Sequence, residues 1–134
     1  MKQLRVVNAD RGATLGTRVA LADRWLARLR GLLGRPEPAS GEGLLLAPCG
    51  SVHMLGMRYP IDVALLDAER RVLSVHPGLR PGWHMAAARG ARYALELPAG
   101  TLATTGTVPG DRLDWQETSA GPDGRRGSHL EAVS

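Results

Sequence analysis

Cys49, Ser51 and His53 fall at alternate positions of the segment CGSVH. Alternate side chains of an extended strand share a face, so a thiol, a hydroxyl and an imidazole would line one side. Gly50, Val52 and Met54 would line the other. These residue types can support nucleophilic chemistry when a base stands beside the thiol and lowers its pKa. The spacing argues against a direct pair: strand residues four apart are separated by about 13 Å. Cys49 and His53 would meet only if the chain kinked at Gly50. No metal site is expected, because two candidate ligands are too few for zinc and no CxxC or HxxH accompanies them. Core packing carries more weight than either chemistry, since cysteine is among the most buried residue types.

Asp62 is the second chemical feature. In IDVALLD (61–67), Ile61, Val63 and Leu65 share one face, and Asp62, Ala64 and Leu66 the other. A carboxylate in a strand that is apolar on both sides must be paired or hydrogen-bonded. The nearest partners in sequence are Arg58, His53 and the backbone N–H groups of HMLGMRYP (53–60), and Asp62 is expected to be buried and bonded to that segment. A His53/Asp62 pair could also serve as base and orienter. Glu96, between Leu95 and Leu97, reads as lying on the open face of its strand.

The elements that must position these residues are mostly strands. LRVVNA (4–9) and TLGTRVALA (14–22) form a hairpin across ADRG. GLLLAP (43–48) is a short buried strand. IDVALLD and VLSVH (72–76) pair across AERR, ARYALEL (91–97) follows, and DRLDW (111–115) closes the series. Between them, 77–90 reads as a long Pro/Gly-punctuated loop of the kind that often carries function, and 98–106 as a turn or one short helix. The main helix is placed at 23–33, with Asp23 as N-cap, Trp25, Leu26, Leu29, Leu32 and Leu33 on one face, and Gly34 past its end. Gly31 costs that helix stability, which implies that something packs closely against it. The expected fold is α+β: a mostly antiparallel, curled or barrel-like sheet of about seven short strands with one main helix (23–33), in a single domain spanning 1–115. Residues 116–134 read as a disordered polar tail.

Composition narrows the class. The chain has 134 residues, 43% of them hydrophobic, with no Phe, so an aliphatic core is expected. One cysteine cannot form an internal disulfide, and a reducing cytoplasm is the natural compartment. No stretch is long and apolar enough to span a membrane, and no membrane partner is expected. The net charge is +4, but the arginines are scattered and aromatics are few, which disfavours a nucleic-acid footprint.

RGLLGR (30–35), GLLLAPCGSVHMLGMRYPIDVALLD (43–67), ALELPAG (94–100) and the following GD (110–111) resemble the domain-of-unknown-function 192 family, also called uncharacterised protein family 0127. The resemblance runs from about Thr17 to Trp115. It implies a compact α+β, mostly β domain with no established activity. It places Cys49, His53, Gly56, Met57, Pro60, Asp62, Asp67, Glu96 and Gly100 on motif positions. Met54, Leu65 and Arg70 depart from the family pattern, Arg70 standing where the hairpin often has Gly.

The resulting expectation is a small cytoplasmic binding or accessory module of unknown function, with no cofactor. Its modest polar pocket would be lined by Cys49, His53, Met57, Arg58 and Asp62, with Trp83 and His84 from the long loop. A small polar or anionic ligand is expected, with Arg58 as charge partner. The alternatives are a hydrolase-like enzyme using His53 and Asp62, and a protein-interaction module that uses 77–90 and takes no small ligand.

Overall fold

The computed structural model describes residues 1–24 and 31–118. Nine strands occur among them: β1 (Gln3–Asn8), β2 (Ala13–Ala22), β3 (Glu42–Leu46), β4 (Ser51–His53), β5 (Ile61–Leu66), β6 (Val72–Leu79), β7 (Met85–Ala87), β8 (Tyr93–Pro98) and β9 (Leu113–Glu117). The helix α1 (Thr101–Thr105) is a little over one turn. Among the described residues the chain is therefore nearly all-β, and the α+β expectation overstates its helix content. The expected helix at 23–33 falls largely on residues 25–30, outside the described residues. Its end at Leu33 is corrected by Gly31, whose φ of 55° takes the chain out of right-handed helix before Leu32.

Seven strands form one sheet in the order β6-β5-β8-β3-β2-β1-β9. All neighbours are antiparallel except β2 and β3, which run parallel across the connection 23–41. The sheet curls until its two edge strands meet at one end. There Arg71 bridges Arg112, Val72 N–H donates to Asp111 O at 2.8 Å, and Leu113 N–H donates to Arg70 O at 2.9 Å. The barrel-like expectation holds as a half-barrel pinned at that end. β9 pairs through Glu117 with Leu4, so the domain reaches beyond Trp115. Residues 119–134 of the expected tail lie outside the described residues.

The remaining strands, β4 and β7, form a separate two-stranded ribbon. The 77–90 segment is accordingly not one loop: β6 continues to Leu79, and β7 follows six residues later. Pro77 is tolerated because β6 is an edge strand, where a missing N–H breaks no ladder.

The alternation of β3, β5 and β8 gives the sheet two buried faces. Leu45, Ala64, Leu66, Leu95 and Leu97 join Leu4, Val6, Val19, Leu102 and Leu113 in the core inside the curl. Leu44, Leu46, Ile61, Val63, Leu65 and Ala94 face a second core, covered by Val52, Met54 and Ala86 of the ribbon region and by Leu32. This double covering is why β5 is buried at all six positions.

The closed end is held by one carboxylate. Asp111 Oδ2 accepts from Arg11 Nε at 2.7 Å, Asn8 Nδ2 at 3.0 Å and Val108 N at 3.1 Å. The Arg11 hydrogen bond is the main cause that lowers the Asp111 pKa to about 2. A depressed acid contributes stability above its unfolded pKa and loses it as pH falls through the folded value. The thermal midpoint of the protein should therefore drop between about pH 4 and pH 2, and Asp111→Asn should flatten that limb relative to wild type. Parallel acid limbs in the two proteins would remove Asp111 from this role.

Candidate functional site

A small cavity of about 50 Å³ opens on the second core. Its walls are Leu32, Leu33, Leu46, Val52, Met54, Leu55, Met57 and Ile61, with Gly31, Ser51, His53 and Glu96 as the remaining lining. The register of the sheet decides which carboxylate stands there. Glu96 is paired with Leu44 on one side and Val63 on the other, and cross-strand partners project to the same face. Glu96 thus joins the face of Leu44, Val63 and the ribbon, and is 3% exposed.

Burial drives the Glu96 pKa up to about 7, against the opposing effects of a Leu32 N–H bond and the positive charge of Arg35. The Leu32 bond to Oε1 measures 3.2 Å. Gly31 explains itself here: a Cβ on this residue would stand 3.2 Å from Glu96 Oε2, at a φ that L side chains rarely adopt. The close neighbour that the sequence implied at Gly31 is this carboxyl group. Chemically, an acid near half-protonation at neutral pH can donate or accept a hydrogen bond, or exchange a proton.

The expected site residues divide around this cavity. His53, exposed on β4 opposite Met85, lines it, and Met57 lines both the cavity and an adjoining groove of about 380 Å³. Arg58 is exposed and belongs to that groove, with Arg35, Glu37 and Tyr59. Tyr59 Oη stands 3.0 Å from Arg35 O and 3.2 Å from Pro36 O, which fixes the turn after Leu32 against the 57–59 loop. Cys49 is half-buried, packs against the second core, and its thiol donates to Ser51 O at 3.1 Å. It is not part of the cavity wall. Trp83 and His84 also lie outside the wall. Trp83 is 90% exposed, and His84 Nδ1 is 3.2 Å from Pro81 O.

Asp62 is buried, as expected, but its partners are different. Its Oδ1 accepts from Gly78 N at 2.8 Å, and its Oδ2 from Gly100 N at 3.1 Å and Leu102 N at 2.8 Å. It lies one residue from Val63 on β5, hence on the opposite face of the sheet from Glu96 and the cavity. The 53–60 segment, Arg58 and His53 do not bond it, and the His53/Asp62 base–orienter pair is corrected. The proposed pocket loses Asp62 and gains Glu96. The signal was present: YALELP is apolar around Glu96 just as IDVALL is around Asp62, and the same two-faced argument applies to both. Among the described residues the Ala47–Pro48 peptide bond is cis. Among the described residues, no three His, Cys, Asp or Glu side chains stand together as a metal site, and no helix is long and apolar enough to cross a membrane.

The family model DUF192, described as "Uncharacterized ACR", matches residues 6–115. A UPF0127 protein of Thermococcus sibiricus is 32% identical over 115 residues, covering 83% of this chain and 74% of its own. A UPF0127 protein of Pyrococcus furiosus is 30% identical, covering 82% and 97%. Among solved structures, a candidate transcription regulator from Sinorhizobium meliloti superposes with a TM-score of 0.72 at 28% identity, over 85% of this chain and 92% of that one. A protein of unknown function from Novosphingobium aromaticivorans gives 0.71 at 24% identity, over 84% of each chain, and bears on the fold alone.

Proposed function

The chain belongs to the DUF192 family of uncharacterised proteins, and from that premise we propose that it is a small-ligand binding module whose site is the Glu96 cavity. The observation that carries this reading is a buried carboxyl group, with a pKa near 7, at a cavity whose other walls are mainly apolar. A structural carboxylate is normally saturated with donors, as Asp62 is by three N–H groups. Among the described residues Glu96 accepts one, from Leu32. A ligand group that both donates and accepts would complete it.

The cavity volume admits a few water molecules or a polar end of about four heavy atoms. An amide or hydroxyl end fits the chemistry better than an anion, which would face the ionised half of the Glu96 population. His53 and Ser51 supply polar groups to the same cavity, and Arg58 would serve an acidic group further along the ligand. The cytoplasm is the proposed compartment, supported by the single cysteine outside any disulfide. A second reading, proton transfer by Glu96 to or from a bound substrate, is favoured by the same neutral pKa.

Acetamide tests the binding site. Titrated into protein labelled at its methionine methyl groups, it should shift Met54 and Met57 in a saturable way and leave Met1 unmoved. Glu96→Leu should abolish the response. Unmoved Met54 and Met57 signals, or an equal response in Glu96→Leu, would overturn the cavity as a ligand site.

A further inference from the structure

Arg35 is a half-buried cation that the fold has not paired. Its backbone is clamped on both sides: the N–H donates to Leu32 O at 2.9 Å, and the carbonyl accepts from Tyr59 Oη at 3.0 Å. The root of the side chain is therefore fixed, but its polar end is not. Nε is buried and has no hydrogen-bond partner among the described residues. Nη2 meets Met1 Sδ at 3.9 Å, and a thioether is a weak acceptor. Ion pairs among the described residues use Arg11, Arg18 and Arg112 as their cations. Arg35 acts on Glu96 only through its charge, and no ion pair joins the two among the described residues. Buried donors in folded proteins nearly always find an acceptor, so an orphaned one needs a reason.

Two grooves of about 380 Å³ each flank Arg35, and both also have Leu32, Pro36 and Glu37 in their walls. Their charges differ. The first adds Arg18 and Glu42, which pair with each other at 3.7 Å, so two arginines face two glutamates there. The second adds Met57, Arg58 and Tyr59, so two arginines face Glu37 alone. Glu37 is exposed and forms no ion pair with either arginine among the described residues. The second groove thus carries one surplus positive charge. It also meets the Glu96 cavity, since Leu32 and Met57 line both.

We propose that Arg35 binds a carboxylate in this second groove, with Arg58 as the supporting charge. On binding, the guanidinium turns its covered Nε edge toward the groove, and Nε–H and one Nη–H meet the two carboxylate oxygens in parallel. That fork is the geometry in which arginine holds a carboxylate most strongly. The surplus of one charge matches a monoanion and leaves a dianionic phosphate half compensated. Leu32, Met57 and the Tyr59 ring keep water from the pair on one side, which strengthens it. The proposal rests on the Glu96 reading in one respect only. If both sites serve one molecule, the ligand is a carboxylic acid that carries an amide or hydroxyl at its other end. The contact with Arg35 stands without that link.

Acetate tests this, titrated at constant ionic strength into the full chain labelled with nitrogen-15 and followed at the arginine Nε–H signals. The Arg35 signal should move saturably and well beyond those of the exposed Arg80 and Arg89, which report general screening. Arg35→Lys keeps the charge but loses the fork, and should weaken acetate binding about tenfold, read from the Tyr59 ring signals. Arg58→Gln should weaken it severalfold, and Arg18→Gln, in the other groove, should leave it unchanged. Inorganic phosphate should bind more weakly than acetate, and tighter binding would overturn the carboxylate assignment. The two sites fail separately. Glu96→Leu should abolish the acetamide response of Met54 and Met57 yet leave the acetate response at Arg35, whereas Arg35→Lys should do the reverse. An Arg35 signal that moves no more than those of Arg80 and Arg89, or acetate binding undiminished in Arg35→Lys, would leave the guanidinium to solvent and overturn the proposal.

Discussion

Asp62→Asn should lower the unfolding free energy by about 3 kcal/mol at neutral pH, although the substitution changes neither shape nor volume. The carboxylate is fully buried and accepts three backbone N–H groups, from Gly78, Gly100 and Leu102, at 2.8–3.1 Å. An amide offers one acceptor oxygen and turns an NH₂ toward at least one of these donors, leaving buried groups unsatisfied at about 1–3 kcal/mol each. The loss should appear as a lower urea midpoint with an unchanged slope, and as faster hydrogen exchange at Gly78, Gly100 and Leu102. Asp62→Ala should cost more, because no acceptor remains for any of the three. Because Asp62 faces away from the cavity, the acetamide response of Met54 and Met57 should survive in the folded variant. Full stability together with a lost response would return Asp62 to the site and show that its register is misassigned.

The contrast between Asp62 and Glu96 shows how far the sequence can be read. Period-two alternation and turn residues were enough to find β1, β2, β3, β5, β8 and the hairpin into β6, because each is a local pattern. The burial of Asp62 was legible for the same reason. Its partners were not, since Gly78, Gly100 and Leu102 reach it through the curl of the sheet and the turn after β8, far along the chain. Choosing partners by sequence proximity favoured His53 and Arg58, which strand register excludes. Glu96 was missed because an open face was assumed for β8, whereas β8 lies between β3 and β5 and is covered on both sides. β7 was invisible for a different reason: Met85-Ala86-Ala87 has no β-branched residue and only three positions, so its pairing with β4 is a tertiary outcome. The neighbour implied by Gly31 could be inferred, but its identity waited on the register that brings Glu96 beneath it. Arg70 shows a turn surviving a departure from the family pattern. It holds a φ of 66°, with its guanidinium 4.0 Å from the centre of the Trp115 ring and the turn closed by two N–H bonds to Asp67 Oδ1.

Glu96→Gln should stabilise the protein at mildly alkaline pH, the reverse of the Asp62 result, and the sign follows from linkage. The pKa of Glu96 rises from 4.5 to about 7 on folding, so between those values the folded state holds a proton that the unfolded state has released. Stability then falls as pH rises through that window. At 1.36 kcal/mol per unit the loss amounts to about 3 kcal/mol, complete once pH exceeds the folded value. Gln keeps the shape and an oxygen for the Leu32 N–H, but it has no proton to lose. Wild type and Glu96→Gln should therefore unfold at similar urea concentrations at about pH 4.5. They should diverge as pH rises, with the variant ahead by up to about 3 kcal/mol at about pH 8. A carboxyl group kept where its own amide would be more stable is a cost that folding alone does not explain, and such costs collect at binding and catalytic sites. The acetamide response of Glu96→Gln separates the two readings of the cavity. Binding retained at all pH values fits a ligand held by hydrogen bonds, which Gln can still give and accept. If the pH differential in stability is absent, Glu96 is an ordinary carboxylate and the cavity loses its central group.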